Sequence, residues 1–211
     1  MITMDDKLAH TFGWYGKLPS RGDFVGRGMP RSWQRCWDEW LQRALADAAN
    51  QLGAVVLRER LTSMTPWSCV VLPQQRHQPA WCGVVVASSD RVGRVFPLLL
   101  AEACDAGQLD RQPLAALQAR ASALARWLAD ARTLPPKDFE AGAASLVAAD
   151  WMEAGNGGTT VNDRFESVRT GRPSASTFWW RAIPAFDMHA PLAEAWPPRD
   201  ALLLDWIGEP D

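Results

Sequence analysis

Two short segments of this sequence place charged side chains, hydroxyls and glycines close enough together to bind a ligand or to carry out chemistry. The candidate residues are Lys17, Ser20, Arg21 and Asp23 in the first segment, and Ser89, Asp90, Arg91 and Arg94 in the second. Each segment follows an apolar run that is typical of a buried strand. If those strands are neighbours, the segments form one polar patch at one end of a sheet. Opposite charges in such a patch fit three roles, which are structural bracing, partner recognition and catalysis.

Known catalytic and phosphate-binding motifs do not account for these segments. Residues 13–17 resemble a phosphate-binding loop, but Lys17 is followed by leucine and the first glycine stands too close to it. No serine lies in G-x-S-x-G, and His10, His77 and His189 occur in loop-like stretches. No two histidines or cysteines have the spacing of metal ligands. The sequence therefore predicts a protein that is not an enzyme, with no cofactor and no metal.

The composition is that of a globular chain with a full hydrophobic core. The chain has 211 residues, of which 47% are hydrophobic and 22% charged, and its net charge is −2. This charge argues against nucleic-acid binding. No apolar segment reaches the length of a membrane span, and we recognise no signal peptide, so we expect a cytoplasmic protein without membrane insertion. The four cysteines, none in a C-x-x-C motif, are predicted to be reduced core residues.

The elements that position the two charged segments follow from hydrophobic periodicity. Residues 11–16 predict an aromatic strand, and residues 17–29 a glycine-rich loop. From Pro30 onward, apolar residues recur with helical spacing until Gly53, which predicts a long amphipathic helix. Further helices are predicted over 54–62, 111–133 and 136–149, and strands over 67–72, 80–87, 95–101, 176–182 and 201–206.

This pattern predicts an α/β (α+β) fold, with an antiparallel-rich central sheet flanked by helices in a three-layer-like single domain spanning residues 1–211. Residues 88–94 fit a wide antiparallel connection. Pro97 predicts that its strand lies at an edge or a bulge. Residues 161–176 are polar and receive no assignment, and the proline-rich stretch 184–198 is predicted to be a loop or a short helix.

Twelve tryptophans against a single tyrosine are an unusual aromatic composition. Trp33, Trp37 and Trp40 lie on one stripe of the long predicted helix, so core packing is the favoured interpretation. The alternative is an aromatic binding surface, because tryptophan combines a large apolar area with a polar N–H.

Four strings of residues, in order, resemble the type VI secretion-associated TagF family, also called ImpM. They are Tyr15-Gly-Lys-Leu-Pro-Ser-Arg-Gly-Asp-Phe24, Pro30-Arg-Ser-Trp33 with Trp37-Asp-x-Trp40-Leu41, Trp81-x-Gly83-Val84, and Ser89-Asp-Arg-Val-Gly-Arg-x-Phe-Pro-Leu98. The resemblance covers about residues 12–100, and the helical, tryptophan-rich remainder, 101–211, has weaker motifs.

The resemblance implies a cytoplasmic accessory protein of a Gram-negative bacterium's type VI secretion system. Such a protein acts as a post-translational repressor of assembly or activity by binding the system's forkhead-associated scaffold protein. The family has no established catalytic residues. Two alternatives remain open at this point: an enzyme acting on a small phosphorylated or acyl substrate at the patch of residues 17–23 and 88–94, and a structural subunit of the secretion apparatus. The sequence does not indicate an oligomeric state.

Overall fold

A seven-stranded sheet forms the centre of the molecule. The computed structural model describes residues 12–73, 78–147, 159–169, 175–182 and 191–208. The strands are β1 (Phe12–Gly16), β2 (Val25–Arg27), β3 (Trp67–Val71), β4 (Ala80–Val86), β5 (Leu98–Cys104), β6 (Thr177–Arg181) and β7 (Leu192–Glu194). Their order is β2-β1-β5-β4-β3-β6-β7, and every neighbouring pair is antiparallel.

Helices cover both faces of this sheet. They are α1 (Arg31–Leu52), α2 (Ala54–Ser63), α3 (Ala106–Arg111), α4 (Leu114–Ala131), α5 (Pro136–Val147), α6 (Val161–Arg169) and α7 (Leu202–Ile207). Buried side chains of α1, α2 and α7 pack on one face, and those of α3, α4, α5 and α6 pack on the other. The predicted antiparallel α/β fold with flanking helices is therefore confirmed.

The central strands are buried on both faces, which explains their nearly continuous apolar sequences. Every residue of β3, β4 and β5 is buried. Successive side chains point to opposite faces, so Cys69 packs beneath α1 while Val70 packs with α4. Cys82 and Cys104 are also buried, and all four cysteines are free thiols, with Cys36 half-buried.

Tryptophans dominate the core on the face of the sheet that α1 covers. Eight of the twelve lie here, and six of these eight are buried. We call this set the tryptophan cluster: Trp33, Trp37, Trp40, Trp67, Trp81, Trp179, Trp196 and Trp206. The core interpretation of the tryptophan excess therefore holds for these side chains, of which Trp33 and Trp196 are partly buried.

The opposite face contains a buried ion pair between β5 and α4. Arg120 Nε and Nη2 donate to the two oxygens of Glu102, at 2.8 and 2.5 Å. Both side chains are at most 6% exposed. Arg120 Nη1 also donates to the carbonyl oxygen of Leu146 at 3.1 Å. One guanidinium thus connects the sheet with α4 and α5 in a bidentate geometry.

Several predicted elements differ from the structure. The strand predicted over 95–101 runs from Leu98 to Cys104, because Pro97 has no N–H for the ladder and stays outside it. The prediction of an edge or bulge was wrong, since β5 lies between β1 and β4. Residues 201–206 were predicted to be a strand but form the helix α7. The unassigned stretch 161–176 contains the helix α6, and the loop 184–198 contains β7.

A short strand, β2, also occurs within the predicted loop 17–29. It pairs with β1 through Trp14 and Arg27 and forms one end of the sheet. Gly28 follows it with φ +78°, and a Cβ at this position would lie 1.9 Å from the Phe12 carbonyl oxygen. Glycine therefore permits both the left-handed turn and the close approach of the two chains.

Candidate functional site

The strands that precede the two charged segments, β1 and β4, are not neighbours, because β5 lies between them. The segments meet instead because β1 pairs with β5, the strand that follows residues 88–94. Tyr15 of β1 pairs with Leu99 of β5, so the chain leaving β1 faces the chain entering β5. Three hydrogen bonds to backbone carbonyls then join the segments. Ser88 Oγ donates to the Lys17 carbonyl at 2.7 Å, the Arg91 N–H donates to the Arg21 carbonyl at 2.8 Å, and Arg94 Nη2 donates to the Gly22 carbonyl at 2.8 Å.

Asp90 is the centre of this junction. Its Oδ1 accepts hydrogen bonds from the backbone N–H groups of Val92 and Arg94, at 3.0 and 2.9 Å. Its Oδ2 accepts from Lys17 Nζ at 3.0 Å and from Arg94 Nε at 2.6 Å. The Asp90 side chain is fully buried and that of Lys17 nearly so. This carboxylate therefore fixes both segments relative to each other.

The environment of Asp90 favours its charged form. Burial by itself would raise the pKa of this carboxyl, but the hydrogen bonds from Arg94, Lys17 and Val92 outweigh burial and hold the pKa well below its usual range. Because the folded-state pKa is depressed, the contribution to stability is present above the ordinary carboxyl pKa. It is lost as the pH falls toward the folded-state value.

We expect Asp90→Asn to unfold at a lower temperature than the parent chain at about pH 7, because asparagine supplies no charge to Lys17 and Arg94. Below about pH 4 the unfolded parent binds a proton at this position that the folded parent does not. The difference in melting temperature between parent and variant should then narrow. Thermal unfolding at about pH 7, 5 and 3 measures this. A difference that stays constant would contradict the assigned role of Asp90.

The remaining candidate residues lie on the surface. Ser20, Arg21, Asp23 and Arg91 are exposed, and Ser89 is half-buried in a bridge to the other side of its own loop. Ser20 Oγ donates to a backbone carbonyl at 3.4 Å. In the described residues, the side chains of Arg21, Asp23 and Arg91 have no hydrogen-bond or ion-pair partner. The structure thus divides the eight residues into the buried Lys17–Asp90 pair with Arg94, the loop residue Ser89, and an exposed set.

Phe24 is a residue of this site that the sequence analysis did not identify. It is 41% exposed, and it stacks on Tyr15 at 5.7 Å and contacts Phe96 edge-on at 4.5 Å. Lys17 Nζ lies 5.0 Å from its ring centre. Burial and the hydrogen bond to Asp38 raise the pKa of Tyr15, so its hydroxyl stays protonated as a donor. The sequence signal that could have identified Phe24 is an aromatic residue within a loop that is otherwise polar and charged.

A cleft opens beside these exposed residues. It has a volume of about 640 Å³ and lies between residues 20–27 and the first turns of α5. Arg21, Asp23 and Arg91 line it, together with Trp14, which packs on Phe139 of α5 at a ring distance of 4.8 Å. A second cavity of about 500 Å³ shares Trp14 and residues 27 and 140 with the first. The sequence analysis missed this cleft because α5 is more than 100 residues away in the chain.

Among the residues that the structure describes, this arrangement contains no assembled catalytic group. Within the described ranges, no cluster of three histidine, cysteine or acidic residues could hold a metal ion. Neither Ser20 nor Asp23 contacts a side-chain base there, as the triad logic of nucleophilic catalysis requires. The three histidines lie outside the described residues.

Comparison with known proteins assigns the chain to a family. Residues 13–146 match the family model described as the TagF N-terminal domain, type VI secretion system-associated, and this is more than half of the chain. The chain belongs to the TagF family. The TagF match includes both charged segments and every residue that lines the cleft. It confirms the family that the sequence motifs indicated, and it extends beyond residue 100, where those motifs became weak.

A solved structure has the same fold as this TagF chain. It is PA0076 from Pseudomonas aeruginosa PAO1, with a TM-score of 0.65 and 24% sequence identity over 95% of this chain and 96% of that one. A comparison with curated proteins gives no match. TagF is an accessory family of type VI secretion rather than a known class of enzymes, so the chain is a type VI secretion system-associated protein. None of the helices in the described ranges is long and apolar enough to cross a membrane.

Proposed function

We propose that this chain is a cytoplasmic protein that represses a type VI secretion system post-translationally by binding the system's forkhead-associated scaffold protein. Membership of the TagF family supports the connection to type VI secretion. The observation that carries the binding role is the exposed pair Arg21 and Arg91. Both arginines stand on a backbone braced by Asp90 and have no partner among the described residues. Braced, exposed arginines are typical of energetically important positions in protein interfaces.

We further propose that residues 1–211 act as one TagF-like domain. The family match ends at residue 146, yet β6 and β7, which follow it, extend the same sheet. A partner-binding surface at the β1–β5 junction is then supported by a core to which both parts of the chain contribute.

Charge reversal at Arg21 and Arg91 tests this function. We expect Arg21→Glu/Arg91→Glu to weaken capture of the scaffold protein by about 30-fold or more, because each reversal replaces an attractive contact with a repulsive one. Secretion of the system's own substrates by cells expressing this variant should rise to the level seen without the protein. Pull-down with the purified scaffold protein and measurement of secreted protein provide the two readouts.

Arg126→Glu is a matched control, since Arg126 is an exposed arginine that does not line the cleft. It should leave both readouts unchanged, and all variants should keep the parent's melting temperature within about 2 °C. Full repression by the folded double variant would contradict the proposed surface. Stable stoichiometric co-purification with the assembled apparatus would instead favour a structural subunit.

A further inference from the structure

We propose that the cleft between residues 20–27 and α5 binds an extended acidic segment of a partner protein, with its carboxylates on Arg21 and Arg91. This inference rests on the proposed function, because it names the chemistry that the same surface recognises. Three observations support it: the unpaired charges of the cleft, a fixed exposed aromatic ring, and the length of the cleft.

The unpaired charges that line the cleft and its neighbouring cavity are mostly positive. Arg21, Arg91 and Lys137 have no partner among the described residues, against the single unpaired acid Asp23. The other arginine of the lining, Arg27, is paired with Glu140 at 2.8 Å. An acidic occupant would therefore neutralise an excess of positive charge, whereas a basic occupant would add to it.

The two arginines are placed to act together. The Arg91 N–H donates to the Arg21 carbonyl, so the two side chains leave the backbone at adjacent positions. Arg91 Nη2 lies 3.8 Å from the position that a Cβ of residue 22 would occupy. The guanidinium of Arg91 thus lies over Gly22, at the same wall of the cleft as Arg21. Planar guanidinium groups bind carboxylates through two parallel hydrogen bonds.

Trp14 lines the cleft with a nearly buried indole. Its side chain is 2% exposed, and within the described chain its Nε1–H has no acceptor at hydrogen-bond distance. A buried indole N–H normally has a partner, and leaving it without one is unfavourable. Because Nε1 itself is enclosed by the protein, the Trp14 indole reports on the occupancy of the cleft rather than binding the segment directly. On the rim of the cleft, Phe24 is held by Tyr15 and Phe96 and is 41% exposed. Its exposed ring surface can contact an apolar side chain of the bound segment.

The dimensions favour an extended chain over a small anion. The two adjoining cavities, about 640 and 500 Å³, are lined on the helix side from Pro136 to Ala144. This stretch of α5 is about 12 Å long at 1.5 Å per residue. It corresponds to roughly four residues of extended polypeptide. The far end is apolar, with Phe12 and Ala141, which suits an apolar residue after the acidic ones.

The test is a titration of the full ¹⁵N-labelled chain with three blocked peptides of equal length. One alternates aspartate with leucine, the second has asparagine in place of aspartate, and the third has lysine. We expect saturable shifts of the Trp14 indole N–H resonance with the aspartate peptide only, assigned through Trp14→Phe. Arg21→Ala/Arg91→Ala should weaken this binding at least tenfold, and Arg126→Ala should not.

The variant Asp23→Asn provides a second test of the charge that the cleft prefers. Asp23→Asn should tighten binding of the aspartate peptide, because it removes the one unpaired negative charge that the described residues place in the cleft. Binding should weaken at high salt. Tighter binding of the lysine peptide, or weaker binding after Asp23→Asn, would overturn the inference. Displacement of the aspartate peptide by millimolar inorganic phosphate would also overturn it, because the cleft would then be a site for a small anion.

The failure of this inference and that of the proposed function are distinguishable. If no peptide binds but Arg21→Glu/Arg91→Glu still loses the scaffold protein, the acidic-segment chemistry is wrong and the partner surface stands. If the aspartate peptide binds as expected but the Arg21→Glu/Arg91→Glu variant still represses secretion, the cleft is a peptide site and the proposed function is wrong.

Discussion

Arg120→Met should lower the free energy of unfolding by about 3–5 kcal/mol, more than surface substitutions usually do. The variant leaves the Glu102 carboxylate, which is 4% exposed, without its counter-ion inside the protein. Removing one partner of a buried pair is costly because the other charge stays in a medium of low polarity. The melting temperature should fall by about 6–20 °C, as measured by circular dichroism.

The matched control for Arg120→Met is the double variant Glu102→Leu/Arg120→Met. It removes both charges and fills the same region between β5 and α4 with apolar groups, which often costs little. We expect it to recover most of the lost stability, short of the hydrogen bond from Arg120 to the Leu146 carbonyl. If the single and double variants are equally unstable, the loss comes from packing rather than from an unpaired charge.

The second large effect should come from Trp37, at the centre of the tryptophan cluster. Its side chain has no exposed surface. Five other rings of the cluster lie within 6.4 Å of it: Trp33, Trp40, Trp179, Trp196 and Trp206. Trp37→Ala should cost about 3–5 kcal/mol of stability, because the rings around it cannot close the cavity. Chemical unfolding followed by circular dichroism measures this loss.

A pair of phenylalanine substitutions separates packing from hydrogen bonding in this cluster. Trp37 Nε1 has no acceptor in the described chain, whereas Trp40 Nε1 donates to the Arg199 carbonyl at 3.3 Å. Trp37→Phe removes an unpartnered donor, and Trp40→Phe leaves a carbonyl unpaired. We therefore expect Trp37→Phe to be the less costly of the two by about 1–2 kcal/mol. The reverse order would show that Trp37 Nε1 has a partner, such as a bound water.

The sequence was sufficient for the elements whose periodicity is strong. The helix over Arg31–Leu52 was predicted because its apolar residues recur at helical spacing, and the strand over Ala80–Val86 because it is apolar throughout. Helix α7 was mistaken for a strand because a short, mostly apolar segment fits either structure. The end of β5 was missed because Glu102 looks like a surface residue until Arg120, from another element, is placed beside it.

The candidate site could be predicted only in part, for a similar reason. Residues 17–23 and 88–94 were identified from their charges, and their proximity follows from the pairing of β1 with β5. Which charges are buried depends on three-dimensional packing. Asp90 and Asp23 look alike in sequence, yet the first is enclosed and the second is exposed. The opposite wall of the cleft belongs to α5, and no local pattern connects Glu140 with Arg27.

The members of the tryptophan cluster lie far apart in the sequence, and this separation has a consequence for synthesis of the protein in the cell. Trp67 Nε1 donates to the carbonyl of Trp206, 139 residues later in the chain. At typical translation speeds of about 5–20 residues per second, the ribosome needs roughly 7–28 s to make the residues between them. During this interval Trp37, Trp40 and Trp67 lack the helix that covers them. We therefore expect newly made chains to depend on chaperones that shield apolar surface, and to aggregate when such chaperones are depleted.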